Sequence, residues 1–262
     1  MRIVRYTMDG SDVRYGIVEK QRIRNVTTSP FDGLQPDSDV FDLTDVQLLA
    51  PVMPPNVIAI GANYQQHIEE AGAEPPPEPL VFIKASTAVT APDAAIVLPS
   101  VAPDEVDYEA ELAIVIGRKG KHIPEAAALD YVLGYTCAND VSARDCQMRR
   151  DKQWARAKSF DSFCPLGPWI ETDVDPDACD IALRLNGRVM QQSNTADMLF
   201  DCRRLISHVS DAFTLLPGTV ILTGTPSGVG FARTPPVFLR AGDVVEVDIA
   251  GIGVLRNSVC AE

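Results

Sequence analysis

The segment VDYEAELAIVIG, residues 106–117, places two acidic side chains in a stretch that is otherwise typical of a buried β-strand. Apolar and β-branched residues dominate it, and Gly117 ends the run before it reaches the ten or so residues that a helix needs. Glu109 and Glu111 are two residues apart, so they project from the same face of that strand. Two carboxylates about 5 Å apart repel each other by roughly 3 kcal/mol at an effective dielectric constant near 20. The sequence therefore predicts either a cation beside this pair or a strand that begins at the surface with both acids in water.

The composition limits the class of protein. A chain of 262 residues with 46% hydrophobic and 23% charged residues is typical of a globular protein with one large core, or with a core and a small appended domain. Its net charge of −13, without a long Lys/Arg run, argues against nucleic acid or an anionic membrane surface as a partner. A local basic pocket for a small anion remains compatible with that charge.

The spacing of the cysteines and the length of the apolar stretches indicate where in the cell the protein is located. No stretch approaches the roughly 18 to 20 apolar residues of a membrane span. The six cysteines form no C-x-x-C pair, and the first ten residues, MRIVRYTMDG, contain no apolar signal core. These features predict a cytoplasmic protein with reduced thiols.

Two parts of unequal size are predicted along the chain. Residues 1–50 contain short strand-like runs joined by tight turns, and the proline-rich stretch LLAPVMPPN separates this small β unit from residues 51–262. In the larger part strand-like runs outnumber helical patterns, of which the clearest lie at 124–132, 142–157 and 195–216. This ratio favours a β-rich barrel or sandwich with peripheral helices over a doubly wound sheet.

A third carboxylate stands where a strand-like run ends. In GYTCANDVSARD, residues 134–145, Asp140 precedes a segment that is predicted to be helical, and a helix N-cap would explain it. Together with Glu109 and Glu111, however, it completes the oxygen-only ligand set that Mg²⁺ or Mn²⁺ prefers. Zinc more commonly binds His or Cys. Both interpretations of Asp140 remain open at this point.

A histidine and a carboxylate are paired in NYQQHIEE, residues 63–70. If this segment is helical, His67 and Glu70 stand at i and i+3 on one face, where the carboxylate can orient the imidazole. That arrangement suits a general base that activates water. A pair on the surface of a helix is the alternative. The other histidines, His122 and His208, lie in a charged turn and in a periodic helical segment.

Further polar residues are candidates for contacts with a substrate. Lys158 precedes an aromatic, proline-marked stretch, and it follows the segment that carries Arg144 and Gln147. Near a metal, such groups can bind a carboxylate or neutralise an oxyanion, although isolated basic residues are usually solvated. Thr225 lies in the Gly/Pro turn LTGTPSGVG, which lacks the spacing of a phosphate loop. A plain loop explains that turn equally well.

Six blocks of the chain, in this order, resemble the fumarylacetoacetate hydrolase family: NYQQH, DYEAELAIVIG, GYTCANDVSARD, AKSFDSFCPLGP, TGTPSGVG and GDVVEVDIAGIGVLRNSV. The resemblance covers about residues 52–262, and what precedes residue 50 resembles the small N-terminal domain of bacterial members. It implies an α+β, β-rich fold, namely the family's mixed β-roll or barrel with peripheral helices, usually as a homodimer. Ala62 and Ala85 stand where relatives often have a larger residue or a proline, so the resemblance implies the metal chemistry but not the shape of the pocket.

The resemblance also implies roles for nine residues: Glu109, Glu111 and Asp140 as ligands of Mg²⁺, with Mn²⁺ as the alternative; His67 and Glu70 as the water-activating dyad; Lys158 as the charged catalytic group; and Arg144, Gln147 and Thr225 as contacts to substrate oxygens. The implied activity is metal-dependent hydrolysis of a carbon–carbon bond in a small anionic 1,3-dicarbonyl acid, such as an acylpyruvate or a fumarylpyruvate-like compound. An oxaloacetate-type decarboxylase or a 2-hydroxyhepta-2,4-diene-1,7-dioate-type isomerase on the same metal site is the alternative. A catalytically silent ligand-binding relative is a further one.

Overall fold

Nineteen strands carry the fold in the computed structural model, which describes residues 1–262. In chain order they are β1 Arg2–Thr7, β2 Arg14–Glu19, β3 Arg22–Val26, β4 Pro36–Asp42, β5 Gln47–Leu49, β6 Val57–Gly61, β7 Leu80–Lys84, β8 Val89–Thr90, β9 Ala95–Leu98, β10 Val106–Asp107, β11 Ala110–Ile116, β12 Val132–Asn139, β13 Ser142–Ala143, β14 Cys164–Glu171, β15 Asp180–Leu185, β16 Arg188–Asn194, β17 Val220–Leu222, β18 Val244–Ile249 and β19 Gly253–Ala261. The two α-helices are α1 Gln65–Glu70 and α2 Cys202–Ala212. None of the helices has the length and apolar character needed to span a membrane.

The strands form three sheets. The path of the largest, which has twelve strands, is β4-β3-β2-β1-β14-β12-β11-β17-β6-β7, with β5 paired to β1 and β8 paired to β14. A five-stranded sheet, β16-β15-β18-β19-β9, packs against it, and β10 pairs with β13. Most pairs are antiparallel, whereas β17–β6, β14–β8 and β19–β9 are parallel. The predicted β-rich, mixed β-roll architecture with few helices is therefore confirmed.

The larger part of the predicted strand, β11, lies in the interior of the large sheet. β11 pairs with β12 on one side and with β17 on the other, and all seven of its residues are buried. A strand with a sheet neighbour on each edge and packing on each face needs apolar residues on both faces. The alternation of Leu112, Ile114 and Ile116 with Ala113 and Val115 supplies them. The prediction of a buried strand here is confirmed.

The N-terminal strands continue the same sheet. β1 pairs with β2, with β5 and, through Arg2 and Ile3, with β14. These strands also have a small apolar core of their own, formed by Val4, Tyr6, Val18 and Ile23. That separate core fits the predicted small β unit, while the division of the chain near residue 50 stays a prediction.

The predicted helices are only partly correct. Residues 142–157 form no α-helix: Ser142–Ala143 is a strand, and Cys146–Arg150 is a single π-helical segment. The reason is tertiary, since the Ala143 and Arg144 amides donate to Ala157 and Glu105 carbonyls instead of to a helical ladder. Asp140 therefore caps no helix. At 124–132 the chain forms a 3-10 helix, and at 195–216 the α-helix is limited to α2, whose N-terminus is capped by Asp201.

Six strands were not expected from the sequence: β4, β5, β8, β13, β14 and β16. The most central of them, β14, contains two prolines and a glycine, residues that normally argue against an interior strand. It accommodates them because its pairing with β12 shifts register between Tyr135 and Cys137, and because Gly167 takes a positive φ of 149°. Short or proline-marked strands of this kind carry little periodic signal.

Glu171, at the end of β14, joins the N-terminal strand to the sheet. Its carboxylate accepts hydrogen bonds from the Met1 amino group at 2.6 Å, from Arg2 Nε at 3.2 Å and from the Asp173 amide at 3.0 Å. Burial by itself raises the pKa of Glu171, but the Met1, Asp173 and Arg2 donors together bring it below its usual value. A depressed pKa means that the ionised carboxylate stabilises the fold above its unfolded pKa, and that this contribution is lost as the pH falls through the folded pKa.

We predict that Glu171→Gln lowers the free energy of unfolding by about 1 kcal/mol at neutral pH. The amide keeps the shape of the carboxylate but loses the negative charge that pairs with the partly exposed Met1 amino group and Arg2. Chemical denaturation at neutral and acid pH measures this. The difference from the wild type should disappear below the folded pKa. Glu19→Gln, which removes an exposed partner of Arg24, is the control and should have no measurable effect. A loss that is the same at both pH values would contradict the electrostatic explanation.

Candidate metal centre and active site

Glu109 and Glu111 are both inside the protein. Glu109 lies between β10 and β11, Glu111 lies within β11, and their relative exposures are 6% and 1%. The alternative that both acids face water is therefore wrong. Glu111 accepts a hydrogen bond from the Gly224 amide at 2.7 Å, and it has no salt-bridge partner. One carboxylate from just before β11 and one from within it thus lie close together in the interior.

Asp140 joins them through strand pairing. β11 and β12 align Ala110 with Asn139, and the Asp140 amide donates to the Glu109 carbonyl at 2.8 Å. The carboxylate of Asp140 is fully buried. One oxygen from each of the three acids can be chosen so that all three lie within 4.8 Å of one another. Register alone brings together residues that are about thirty positions apart in the chain.

Cationic side chains compensate most of this negative charge. Lys158 Nζ donates to Glu109 Oε2 at 2.6 Å and to Asp140 Oδ2 at 2.7 Å. Lys84 Nζ donates to the other oxygen of Asp140. Arg144 Nη2 donates to Glu109 Oε1 at 2.7 Å. The expectation that something cationic stands beside the glutamates is met by protein side chains for Glu109, but not for Glu111.

The two glutamates consequently differ in acidity. Burial by itself raises the pKa of Glu109, but Lys158 and Arg144 lower it well below its usual value. Burial, Asp140 and Glu109 together raise the pKa of Glu111 well above its usual value. Burial lowers the pKa of Lys158, but Asp140 and Glu109 raise it, and the net shift is upward. The cluster therefore contains a protonated lysine and one carboxyl group without a cationic partner.

His67 and Glu70 lie on α1, so the helical condition that their i, i+3 pairing required is met. His67 Nδ1 is 3.5 Å from Glu70 Oε2, too far for a good hydrogen bond, and Nδ1 is buried without another partner. Glu70 accepts from the Gly228 amide at 3.0 and 3.1 Å. Burial raises the pKa of Glu70, but contacts with His67, Gly228 and Arg233 bring it below its usual value. The turn at 222–230 thus holds the carboxylate that faces the imidazole.

One cavity of about 280 Å³ collects these side chains. Eight of the nine predicted site residues line it: His67, Glu109, Glu111, Asp140, Arg144, Gln147, Lys158 and Thr225. Glu70 lies behind His67. The rest of the lining is mainly apolar and includes Ile60, Ile68, Phe82, Met148, Trp154 and Phe231. A polar end and an apolar wall suit a small ligand with clustered oxygens.

Two family models match the chain. A family model described as fumarylacetoacetate (FAA) hydrolase, C-terminal, matches residues 56–260. The chain belongs to the fumarylacetoacetate hydrolase family. A second model, described as Rv2993c-like, N-terminal, matches residues 1–51. The resemblance that the six sequence blocks indicated is confirmed.

Three matched members of the fumarylacetoacetate hydrolase family illustrate its range. Oxaloacetate tautomerase Fahd2a, mitochondrial, of Rattus norvegicus is 48% identical over 220 residues, which are 82% of this chain and 70% of that protein. The crystal structure of 5-carboxymethyl-2-hydroxymuconate delta-isomerase from Mycobacterium smegmatis is 43% identical, with a TM-score of 0.90 and full coverage of both chains. That of fumarylacetoacetate hydrolase (EaFAH) from Exiguobacterium antarcticum is 38% identical, with a TM-score of 0.86 and again full coverage of both.

Several residues of this family member were not identified from sequence. Asp107 is fully buried and contacts Arg144, Lys84 contacts Asp140, and Gln191 connects the Ala110 amide to Thr225. A signal existed for two of them. Asp107 continues the i, i+2 spacing of the glutamates, and Lys84 ends an apolar strand. Gln191 lies on β16, which the sequence did not predict.

Two residues named in the sequence analysis, Thr225 and Ala85, form hydrogen bonds within the protein. Thr225 Oγ1 donates to the Ala110 carbonyl and accepts from Gln191, so its hydroxyl hydrogen is already used within the protein. Ala85, where relatives often have proline, donates its backbone N–H to Ser159 Oγ at 2.9 Å. A proline has no N–H to donate there. The substrate contact predicted for Thr225 stays a prediction.

The donor set fits a divalent cation. Three buried carboxylates at short mutual distance are the ligands that Mg²⁺ and Mn²⁺ prefer. Glu111 accepts from the Gly224 amide but has no salt-bridge partner, so a bound cation would supply the charge that it lacks. Without such compensation the burial of Glu111 carries a desolvation cost. The three acids therefore form a candidate metal centre.

We predict that Mg²⁺ or Mn²⁺ raises the melting temperature of EDTA-treated protein, because a ligand that binds only the folded state stabilises it. Glu111→Gln should weaken this binding by about tenfold or more, since the amide oxygen keeps the shape but not the charge. Calorimetric titration measures both effects. Glu246→Gln, which changes a strand carboxylate beside Arg256 outside the cavity, is the matched control and should bind as the wild type does. The absence of binding by the wild type would contradict the metal centre.

Proposed function

We propose that the protein catalyses keto–enol tautomerisation of a small 2-oxo dicarboxylate of the oxaloacetate type, assisted by a divalent cation. The observation that carries the proposal is that His67, a proton-transfer group, shares one small cavity with the carboxylate cluster and its cations. The activity in the name of the rat relative and the isomerase name of the Mycobacterium smegmatis structure support it. Tautomerisation moves one proton between carbon and oxygen and consumes no water.

Glu109, Glu111 and Asp140 would hold the cation. When bound, Mg²⁺ or Mn²⁺ supplies Lewis-acid stabilisation of the negative charge that develops on a substrate oxygen. Four buried carboxylates, the three ligands and Asp107, face the three cationic side chains Lys84, Arg144 and Lys158. In the ionised state the cluster has one negative charge in excess, and a divalent cation makes the excess positive. An anionic substrate is then attracted to the cavity.

His67 is the group that moves the proton. Its Nδ1 faces Glu70, so Nε2 on the other side of the ring receives the carbon-bound proton of the substrate and returns it to the carbonyl oxygen. The Glu70 carboxylate, held by the Gly228 amide, favours the imidazolium that exists between the two transfers. Lys158 contributes a second positive charge at the polar end of the cavity.

The apolar wall has a separate effect. Phe82 and Trp154 pack edge to face with ring centroids 5.5 Å apart, and Trp154 also lies so close to Gly61 that a Cβ there would be 2.8 Å from its ring. This wall limits the water that reaches the polar end, and a lower local dielectric strengthens the interactions with the developing charge.

Carbon–carbon hydrolysis is the second candidate. The His67 side chain is 14% exposed and stands beside a carboxylate, an arrangement that suits a base for a water molecule. His67 would then take a proton from water, the hydroxide would add to the distal carbonyl of an acylpyruvate, and the bond to the pyruvate unit would break with return of the proton. The fumarylacetoacetate hydrolase name of the Exiguobacterium structure supports this candidate.

The two candidates differ in their products. We predict that the metal-loaded protein accelerates the conversion of enol-oxaloacetate to the keto form, which is followed by loss of the enol absorbance. The proposal also requires that pyruvate release from oxaloacetate and from acylpyruvates, measured with a coupled dehydrogenase, stays far slower. Fast pyruvate release from acylpyruvates would instead establish the hydrolase, and fast release from oxaloacetate would establish the decarboxylase.

We predict that His67→Ala slows the tautomerisation by about a hundredfold to ten-thousandfold, the usual value of general acid–base catalysis. Binding of Mn²⁺ should be retained, since His67 is not among the three ligands. His122→Asn is the control: His122 is a surface residue with a φ of 52°, which asparagine tolerates, and its replacement should leave the rate unchanged. A wild-type rate in His67→Ala would remove the proton-transfer role.

A further inference from the structure

Asp107 is a buried carboxylate whose lone pairs are all directed to the protein itself. Its Oδ1 accepts from the Tyr108 amide at 2.8 Å and from the Gly230 amide at 2.8 Å. Its Oδ2 accepts from the Phe231 amide at 3.0 Å and from Arg144 Nε at 2.9 Å. The side chain is fully buried and does not line the cavity. It therefore has no free acceptor for a substrate or a metal.

Arg144 is held in one orientation by Asp107 and by contacts with Glu109, Gln147 and Phe231. Its Nη2 donates to Glu109 Oε1 and its Nη1 donates to Gln147 Oε1, both at 2.7 Å. The face of the guanidinium lies 4.4 Å from the Phe231 ring centroid. Since each nitrogen has a different partner, rotation of the guanidinium would break at least one charge-assisted hydrogen bond. The pKa of Arg144, which burial lowers, is raised overall by Asp107 and Glu109.

Two groups at the cavity are oriented through this arginine. Glu109 has one oxygen on Arg144 and the other on Lys158, so its carboxylate plane is determined by both. Gln147 must present its oxygen to Arg144, because a guanidinium only donates. Its amide nitrogen is then the end that remains for the cavity.

The turn at 230–231 is built on the same carboxylate. A Cβ at Gly230 would lie 1.9 Å from the Val237 carbonyl oxygen and 2.5 Å from Asp107 Oδ1, so only glycine allows this amide to approach. The next residue, Phe231, covers Arg144 and also lines the cavity. Asp107 thus connects β10, the turn and the arginine at one point.

We propose that Asp107 is a positioning residue which acts through Arg144 to orient Glu109 for a divalent cation and the Gln147 amide for a substrate oxygen. The inference rests on the proposed metal centre. Partners that orient metal ligands typically affect metal affinity by about 10- to 100-fold when they are removed. Asp107 contacts neither the metal nor the substrate, so its effect on both must pass through the arginine.

The test uses Asp107→Asn, Arg144→Lys and the double variant, with Mn²⁺ affinity measured by calorimetry. Asparagine is of the same size, but its amide nitrogen cannot accept a hydrogen bond. The two donors that Asp107 accepts on the replaced oxygen therefore lose their acceptor. Lysine keeps the charge, but a single ammonium cannot replace the three-way contact of the guanidinium. Each single variant should bind Mn²⁺ about 10- to 100-fold more weakly. The double variant should be no weaker than the worse single variant, because the two residues act in series.

A matched control separates positioning from general destabilisation. Glu171→Gln also replaces a buried, ion-paired carboxylate, at the N-terminal strand, and it should lower the melting temperature while leaving Mn²⁺ affinity unchanged. Wild-type affinity in Asp107→Asn, or additive losses in the double variant, would overturn the inference. If Asp107→Asn does not fold, the Mn²⁺ affinity of Arg144→Lys is the test, and a wild-type affinity in that variant would overturn the inference. A wild type that binds no Mn²⁺ would contradict the proposed metal centre itself, and with it this inference.

Discussion

The repulsion between carboxylates in a dry interior is the constraint on which the rest of the structure depends. One carboxylate oxygen each from Glu109, Glu111 and Asp140 can be chosen so that all three lie within 4.8 Å of one another, and the three residues are almost completely buried. Such a group is unstable by itself, because desolvation and mutual repulsion both oppose ionisation. Lys158, Lys84 and Arg144 occur where they do because they compensate it. The incomplete compensation at Glu111 is the feature that distinguishes a candidate metal centre from a closed ion-pair network.

The central strands provide the rigidity that this arrangement needs. β11 has a paired neighbour on each edge, and the residues on its two sides come from β12 and β17. Register places Asp140 beside Glu109, and the turn after β17 brings Gly224 to Glu111 and Gly228 to Glu70. The candidate metal ligands and the His67–Glu70 pair therefore lie on or beside elements that cannot shift independently. Preorganised groups of this kind stabilise developing charge without a large reorganisation.

The segment from Arg144 to Lys158 shows how local and tertiary preferences compete. Its periodicity predicts an α-helix, yet the helical part ends at Arg150 and Cys146–Arg150 is a π-helix, a form that is often found at functional sites. The ends of the segment are drawn into the protein by the carboxylate cluster, through Arg144 to Asp107 and Glu109 and through Lys158 to Asp140. Burial of two charged side chains with their partners outweighs a continuous helical ladder here. Local pattern cannot predict this, since the partners are distant in sequence.

The sequence by itself determined the β-rich class, the buried character of β11 and the closely spaced acidic pair Glu109 and Glu111. These are local properties: alternation, a glycine stop, and the two-residue spacing of the glutamates. The tertiary structure alone decided that Glu109 has cationic partners while Glu111 has none, and that Arg144 is held by Asp107. It also decided that the N-terminal strands join the large sheet through β14. The physical reason is that pairing, register and ion contacts join residues tens to more than a hundred positions apart, and no window of the sequence contains both partners.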